Sequence, residues 1–188
     1  MNLIHRWACR SESWRTRLKT CIVPWVLEGV DLGQDVLEVG PGPGLTTDLL
    51  RPRLERLTAI EIDPKLATAL KQRMNGGNVR VVEGDATALP FSAGSFSGAV
   101  SFTMLHHVPS PALQDRLLAE VCRVLKPGGV FAGTDSLWSV RMWLFHIADT
   151  LVAVNPDAFG MRLEAAGFTS ISIDRDQRAF RFRTRRPA

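Results

Sequence analysis

Five consecutive residues, Gly40-Pro41-Gly42-Pro43-Gly44, place three glycines and two prolines in one turn. Glycine lets a backbone approach a ligand closely, and a turn that opens a helix points free N–H groups at an anionic group. The prolines stiffen the turn and remove two donors. The spacing separates ligand classes. A dinucleotide fingerprint, GxGxxG, needs its third glycine three residues after the second. Here that place holds Leu45 and the glycine comes at 44, which disfavours NAD or FAD. Glu61 follows 21 residues after Gly40, and a carboxylate there can accept hydrogen bonds from both hydroxyls of a ribose. In Gly84-Asp85-Ala86 a second carboxylate can accept from the exocyclic amine of adenine, while Ala86 leaves room for a flat ring. His106 and His107 add two imidazoles, suited to act as a general base toward an acceptor that must lose a proton. Each feature also has a plainer reading: a tight turn without ligand, an exposed acid at a strand end, a turn aspartate, a histidine that packs or caps a helix.

The elements that must position these residues alternate strand and helix. Asp35 to Gly40 is a short apolar strand, followed by a helix that Pro52 stops after Arg51. Leu57 to Ile62 is a second strand, and Asp63-Pro64 is an N-cap with proline at the first helical position. Leu66, Leu70 and Met74 share one face of that helix, which ends at Asn75-Gly76-Gly77. Val79 to Val82 and Gly98 to Phe102 are the third and fourth strands. Ser110-Pro111 starts a helix with Leu113, Leu117, Val121 and Leu125 spaced for burial. Lys126-Pro127-Gly128-Gly129 turns it into a fifth strand, Val130 to Thr134. A helix from about Pro156 to Ala166 precedes two alternating strands, Ile171/Ile173 and Phe180/Phe182. Such alternation predicts βαβ units, a parallel sheet and right-handed crossovers. In these sheets ligands bind beyond the carboxyl ends of the strands, near the switch in strand order. The residues singled out above all fall at those ends.

The chain of 188 residues is the length of one domain, and 45% hydrophobic with 22% charged residues is an ordinary globular composition. Cys9, Cys21 and Cys122 are odd in number and show neither CxxC nor Cys/His ligand spacing. That argues for a reducing compartment and against a disulfide framework or structural zinc, so no metal is expected. No apolar run follows Arg6 and Arg10, so no signal peptide is expected. The most apolar window, Leu137 to Val154, contains Arg141, His146 and Asp149. It is a poor membrane span, since such charges cost about 2.5–3.5 kcal/mol each at mid-bilayer. A cytoplasmic protein without a membrane span is the expectation. The two ends are basic, net +4 over residues 1–20 and +5 over residues 175–188 against +4 for the whole chain. Basic ends can meet nucleic acid or a membrane surface, or simply solubilise the termini.

Four segments carry a resemblance to a known family. Val36-Leu-Glu-Val-Gly-Pro-Gly-Pro-Gly44, Ala59-Ile-Glu61-Ile-Asp-Pro64, Gly84-Asp-Ala-Thr-Ala-Leu-Pro-Phe91 and Arg123-Val-Leu-Lys-Pro-Gly-Gly129 resemble the ordered motifs of class I S-adenosylmethionine-dependent methyltransferases of the type 11 kind. The match covers about residues 33–135. It implies an α/β fold: a Rossmann-like three-layer sandwich whose seven-stranded, mostly parallel sheet has an antiparallel last strand. It implies S-adenosyl-L-methionine as cofactor and S-adenosyl-L-homocysteine as product. The implied cofactor residues are Glu38, Gly40, Pro41, Gly42 and Gly44 around the methionine part, Glu61 at the ribose and Asp85 with Ala86 at adenine. Ile62 would pack on the adenine ring, and Ser101 would lie under the sulfonium. Two departures stand out. Ser97 occupies a place where the family often has aspartate, and Arg181, Arg183 and Arg185 alternate along a last strand that the family topology puts inside the sheet.

Methyl transfer from a sulfonium needs alignment and exclusion of water more than it needs catalytic groups. His106 and His107, just past the fourth strand, are the candidates for a catalytic base. The acceptor site is expected from the variable parts. Residues 1–30 would form a helical lid carrying Trp7, Trp14, Leu18, Cys21, Ile22 and Trp25, and residues 31–188 the methyltransferase domain. Trp138, Met142, Trp143, Phe145 and Ile147 follow the fifth strand. An aromatic, apolar lining suits a small hydrophobic acceptor. Two other functions fit the same motifs. The first and second motifs also resemble rRNA dimethyltransferases, but those carry an Asn-Leu-Pro-Tyr-type motif after the fourth strand. This chain has Ser101-Phe-Thr-Met104 there and no tyrosine at all, which counts against a nucleic-acid partner. The third reading is a non-catalytic module that binds the cofactor to sense it. The acceptor atom and oligomeric state are not written in the sequence.

Overall fold

The computed structural model describes residues 11–188; Trp7, Cys9, Arg6 and Arg10 lie outside the described residues. The chain runs α1 (Glu12–Arg17), a π-helical turn (Leu18–Ile22), α2 (Val23–Val26), β1 (Asp35–Val39), α3 (Leu45–Leu50), β2 (Arg56–Glu61) and α4 (Pro64–Arg73). It continues through β3 (Val79–Glu83), β4 (Phe96–Phe102), α5 (Pro111–Val124), β5 (Leu125–Ser136), α6 (Val140–Phe145), α7 (Pro156–Ala165), β6 (Thr169–Arg175) and β7 (Ala179–Arg185). The seven strands form one sheet in the order β3-β2-β1-β4-β5-β7-β6. The pairs from β3 through β5 are parallel, and β7 runs antiparallel to both β5 and β6. This is the expected Rossmann-like sheet with its reversed last strand. The strand order reverses direction between β1 and β4, which opens a crevice at their carboxyl ends.

Three of the helix starts follow from a side-chain cap and a proline. Asp63 accepts from the backbone N–H groups of Lys65 and Leu66, Ser110 from Leu113 and Asn155 from Asp157; proline follows each of these caps. Both faces of the sheet are covered. Leu37, Val39, Ala99, Phe131, Phe180 and Phe182 face α5 and α7, contributing to the larger core. Val36, Val100, Phe102, Val130 and Ala132 face the other way, where Val23 and Val26 of α2 and Leu50 of α3 cover them. The sequence reading differs at the start of β5. Lys126–Gly129 is not a turn before β5 but a bulge within it, because Leu125 already pairs with Phe96 and Val130 then pairs with Gly98.

Both departures from the family pattern have structural solutions. Ser97 Oγ lies 2.9 Å from the carbonyls of Leu32 and Asp35 and accepts from Asp35 N at 3.0 Å, tying β4 to the entrance of β1. The arginines of β7 lie on its α2-facing side. Arg181 pairs with Glu28 and Asp174 at 2.9 Å each, donates to the Trp25 carbonyl and lies over the Trp25 ring. Arg185 donates to Gly128 O at 3.0 Å. The opposite side of β7 buries Phe180, Phe182 and Thr184. An interior strand can therefore carry three arginines because Trp25, Glu28 and Asp174 meet Arg181 while the carbonyls of Glu28 and Gly128 meet Arg183 and Arg185.

Between β1 and α3 the buried Glu38 accepts from the hydroxyls of Thr46 and Thr47, the second at 2.6 Å, and so anchors the start of α3 to the strand. Burial pushes its carboxyl up to about 7, opposed by the two threonine bonds and reinforced by Asp48 and Glu61. An acid whose pKa is higher folded than unfolded binds its proton more tightly in the native state. Its contribution is therefore full below about pH 4.5 and is lost as pH rises toward 7, a change of about 3 kcal/mol. Urea unfolding at pH 5, 6, 7 and 8 should show Glu38→Gln gaining stability relative to the parent across that window. A difference between the two that stays constant with pH would refute the shift.

Candidate functional site

The residues around the crevice enclose a cavity of about 1550 Å³. Single small-molecule sites usually occupy about 300–1,000 Å³, so there is room for two ligands side by side. One half is built by the ends of β1, β2 and β3, the other by the segments after β4 and β5 together with α1 and α2.

The first half begins at the glycine turn. Gly40, at φ 66°, leaves β1 in a conformation that L side chains rarely adopt, and its N–H bonds Ile60 O at 2.9 Å. A methyl group on Gly40 would lie 2.2 Å from Met104 Cγ, so the ends of β1 and β4 touch here. Gly42 faces open space: a methyl group there would have nothing within 4 Å, and its N–H donates to Glu61 Oε2 at 2.8 Å. Arg73 of α4 clamps the turn from outside, donating to the carbonyls of Pro43 and Gly44 and to both oxygens of Asp48.

Glu61, only 6% exposed, accepts from Gly42 N with one oxygen and from Asp63 N at 3.0 Å with the other. Burial pushes its carboxyl above the usual range, and backbone N–H groups of Asp63, Gly42 and Ile62 oppose that. Each oxygen keeps a second acceptor position. The strand ends at Glu61, one residue earlier than the sequence suggests, and Ile62 stands 67% exposed on the cavity wall. Asp85 is exposed on the wall, with Oδ1 accepting from Thr87 N at 2.8 Å, and Ala86 lies beside it. Gly40, Pro41, Gly42, Glu61, Ile62, Asp85 and Ala86 thus come together on one surface. Glu38, Gly44 and Ser101 do not reach it. Glu38 and Gly44 shape the turn from behind, and Ser101 lies a layer down, its hydroxyl buried without a hydrogen-bond partner among the described residues. Phe102, Thr103 and Met104 form the wall at this strand end instead. The donor and acceptor pattern fits a nucleoside with a short polar tail: an open glycine turn, a buried carboxylate with spare lone pairs, an exposed aliphatic side chain and a second carboxylate.

The second half centres on His106. Its Nδ1 lies 2.5 Å from Oδ1 of Asp135, and its backbone N–H donates to Oδ2 of the same residue at 3.1 Å. Asp135 is fully buried at the end of β5 and also accepts from Ser136 N. Asp135 accepts from two backbone N–H groups, and as a carboxylate it also takes Nδ1–H of His106, which leaves the imidazole lone pair on Nε2. The turn holding His106 is pinned by buried Gln114, whose amide donates to Leu105 O at 3.0 Å and Val152 O at 2.8 Å; Val152 N in turn bonds His106 O. His107 and His146 lie beside His106 on the wall. Burial, with His106 alongside, pushes the His146 imidazole below its ordinary range, opposed by its bond to Met142 O. Asp135 and His146 were not singled out from the sequence. Asp135 sits at a strand end, where that rule would have found it, whereas His146 is brought in only by tertiary packing. Trp14, Leu18, Cys21, Ile22 and Trp25 line the mouth, as do Trp138, Met142 and Phe145, while Trp143 and Ile147 are exposed to the outside.

Comparison with known proteins bears on the whole arrangement. A methyltransferase domain model matches residues 37–133. An uncharacterised methyltransferase of Synechocystis sp. is 32% identical over 149 residues, covering 74% of this chain and 68% of that protein. A probable ribosomal RNA small subunit methyltransferase A of Thermococcus onnurineus is 47% identical over 60 residues, 31% of this chain and only 22% of that protein. Among solved structures, a Pyrococcus horikoshii protein superposes with a TM-score of 0.78 at 17% identity, covering 95% of this chain and 94% of that one. Phosphoethanolamine N-methyltransferase 2 of Haemonchus contortus, solved with phosphomonomethylethanolamine and S-adenosylhomocysteine, gives 0.77 at 14% identity over 98% of this chain and 56% of that one. Among the described residues no helix is long and apolar enough to cross a membrane. Domain model, relative and fold agree: the chain belongs to the methyltransferase-domain family, whose cofactor is S-adenosylmethionine.

Proposed function

We propose that this chain methylates a small, hydrophobic acceptor whose reacting group must lose a proton, with His106 as the general base. The observation that carries this reading is the His106–Asp135 pair beneath an apolar second compartment, next to a first compartment already suited to a nucleoside. S-adenosylmethionine, when bound, supplies an activated methyl group on sulfur. Glu61 accepts from the ribose hydroxyls through its spare lone pairs. Asp85 accepts from the adenine amine, and Ile62 gives that ring an apolar face. The glycine turn leaves room for the amino-acid tail, with Glu38 holding the turn in place.

In the acceptor half, Asp135 fixes the His106 tautomer and stabilises the imidazolium that forms when Nε2 takes a proton. Trp14 and Trp25 from the α1–α2 segment and Trp138, Met142 and Phe145 from the other side exclude water and favour an apolar acceptor. The α1–α2 segment serves as the lid: Val23 and Val26 root it in the core while its other side faces the cavity. Similarity to ribosomal RNA methyltransferases makes RNA the competing acceptor, but Ser101-Phe102-Thr103-Met104 stands where such enzymes carry an Asn-Leu-Pro-Tyr-type motif.

Calorimetric titration with S-adenosylhomocysteine should show Glu61→Gln binding about ten- to a hundredfold more weakly than the parent, the loss of one or two hydrogen bonds to a charged group; unchanged affinity would remove Glu61 from the ribose site. A radiolabelled methyl-transfer screen of apolar phenols and alcohols beside ribosomal RNA should give transfer to the former. In that assay His106→Ala should lower kcat by about 10²–10⁴-fold while cofactor affinity holds within about twofold of the parent. Equal kcat in the variant would discard the base.

A further inference from the structure

A single general base needs one imidazole, and this cavity has three. One ring nitrogen from each of His106, His107 and His146 lies within 4.8 Å of the others. The rings come from two segments 39 residues apart in sequence, joined by the Gln114 and Val152 bonds described above. Two of the three have their tautomers set from behind. Asp135, a buried carboxylate, holds Nδ1–H of His106, and the Met142 carbonyl, which can only accept, holds Nδ1–H of His146 at 2.7 Å. In both rings Nε2 is then the nitrogen with the lone pair. A carboxylate behind one imidazole and a backbone carbonyl behind another are the supports that metal-binding histidines carry, fixing ring orientation and raising ligand basicity.

We infer that His106, His107 and His146 form a binding site for a divalent transition-metal ion of the zinc class, with three imidazole ligands and a fourth position open to the cavity. Imidazole donors select zinc, copper, nickel or iron over the hard ions magnesium and calcium. Tetrahedral zinc with bonds of about 2.0–2.1 Å brings its nitrogen ligands to about 3.3 Å from one another, so binding draws the rings closer together. His107 lies in a single helical turn (Leu105–His107) and His146 at the end of α6, so the rings to be drawn together belong to two short elements. The inference shares the cavity with the acceptor reading but not its premise. An ion on Nε2 of His106 occupies the lone pair that would take the acceptor's proton, so metal and proton transfer compete there.

Cobalt(II) titration of metal-stripped protein, followed by visible absorption, tests the site. One equivalent should produce the intense bands of low-coordinate cobalt, and zinc should abolish them. The His107→Ala/His146→Ala double variant should lose the bands, and Asp135→Asn should weaken cobalt binding about 10–100-fold. S-adenosylhomocysteine binding, measured on each variant, reports whether the cavity is still folded and tests the cofactor reading separately. Should the double variant fail that control, carbethoxylation of the parent supplies the answer: one equivalent of zinc should protect His107 and His146. Weak octahedral bands, equal binding by a folded double variant or absence of protection would show an adventitious ion only and overturn the inference.

Discussion

At Gly40 the chain leaves β1 so close to Met104 that no side chain fits between them. That contact joins the ends of β1 and β4 at the point where the strand order reverses. Gly42 can then reach Glu61 with its N–H, which draws the end of β2 to the same turn. The segment after β4 is left to rise on the far side of Met104, carrying His106 with it. Two neighbouring compartments result from one close approach, and each receives residues from separate stretches of the chain. Replacing Gly40 with any larger residue would move both at once.

Charge in the site is layered. Glu38 lies behind the turn, bonded to two threonine hydroxyls of α3, and Glu61 lies on the wall, bonded to two backbone donors. Burial raises both, yet only Glu61 presents spare lone pairs to the cavity. In the acceptor half a third buried acid, Asp135, faces an imidazole instead of a ligand. The three carboxylates thus have different partners and different tasks: to hold a turn, to meet a ligand and to orient a histidine. Arg73 and Arg181 do comparable work at the periphery, the first closing the glycine turn and the second seating α2 against β7.

Much of this was legible in the sequence because the signals are local. Asp63-Pro64 and Ser110-Pro111 cap their helices as their residue types require, and the glycine turn follows a strand and opens a helix. The strand-end rule located Gly40, Glu61, Asp85 and His106 around one cavity. What escaped depends on partners distant in the chain. Arg181 of β7 looks misplaced until Glu28, Trp25 and Asp174 are seen around it, and Lys126–Gly129 reads as a turn until Leu125 is found paired with Phe96. Alternation along β1 and β4 sets the side chains of Glu38 and Ser101 beneath the cavity wall. His146 joined the site through the packing of a loop that carries no motif.

The central claim is that the surface formed by the ends of β1, β2 and β3 receives an adenosine joined through sulfur to an amino acid. Thermal unfolding of the parent protein with S-adenosylhomocysteine, S-adenosylmethionine or NAD tests it most directly. At a hundred times its dissociation constant a ligand stabilises the native state by about 2.7 kcal/mol, which raises the midpoint of a chain this size by about 5–10 °C. The account predicts that rise with both sulfur nucleosides and none with NAD; no rise with the sulfur nucleosides, or a rise with NAD in their place, would contradict it.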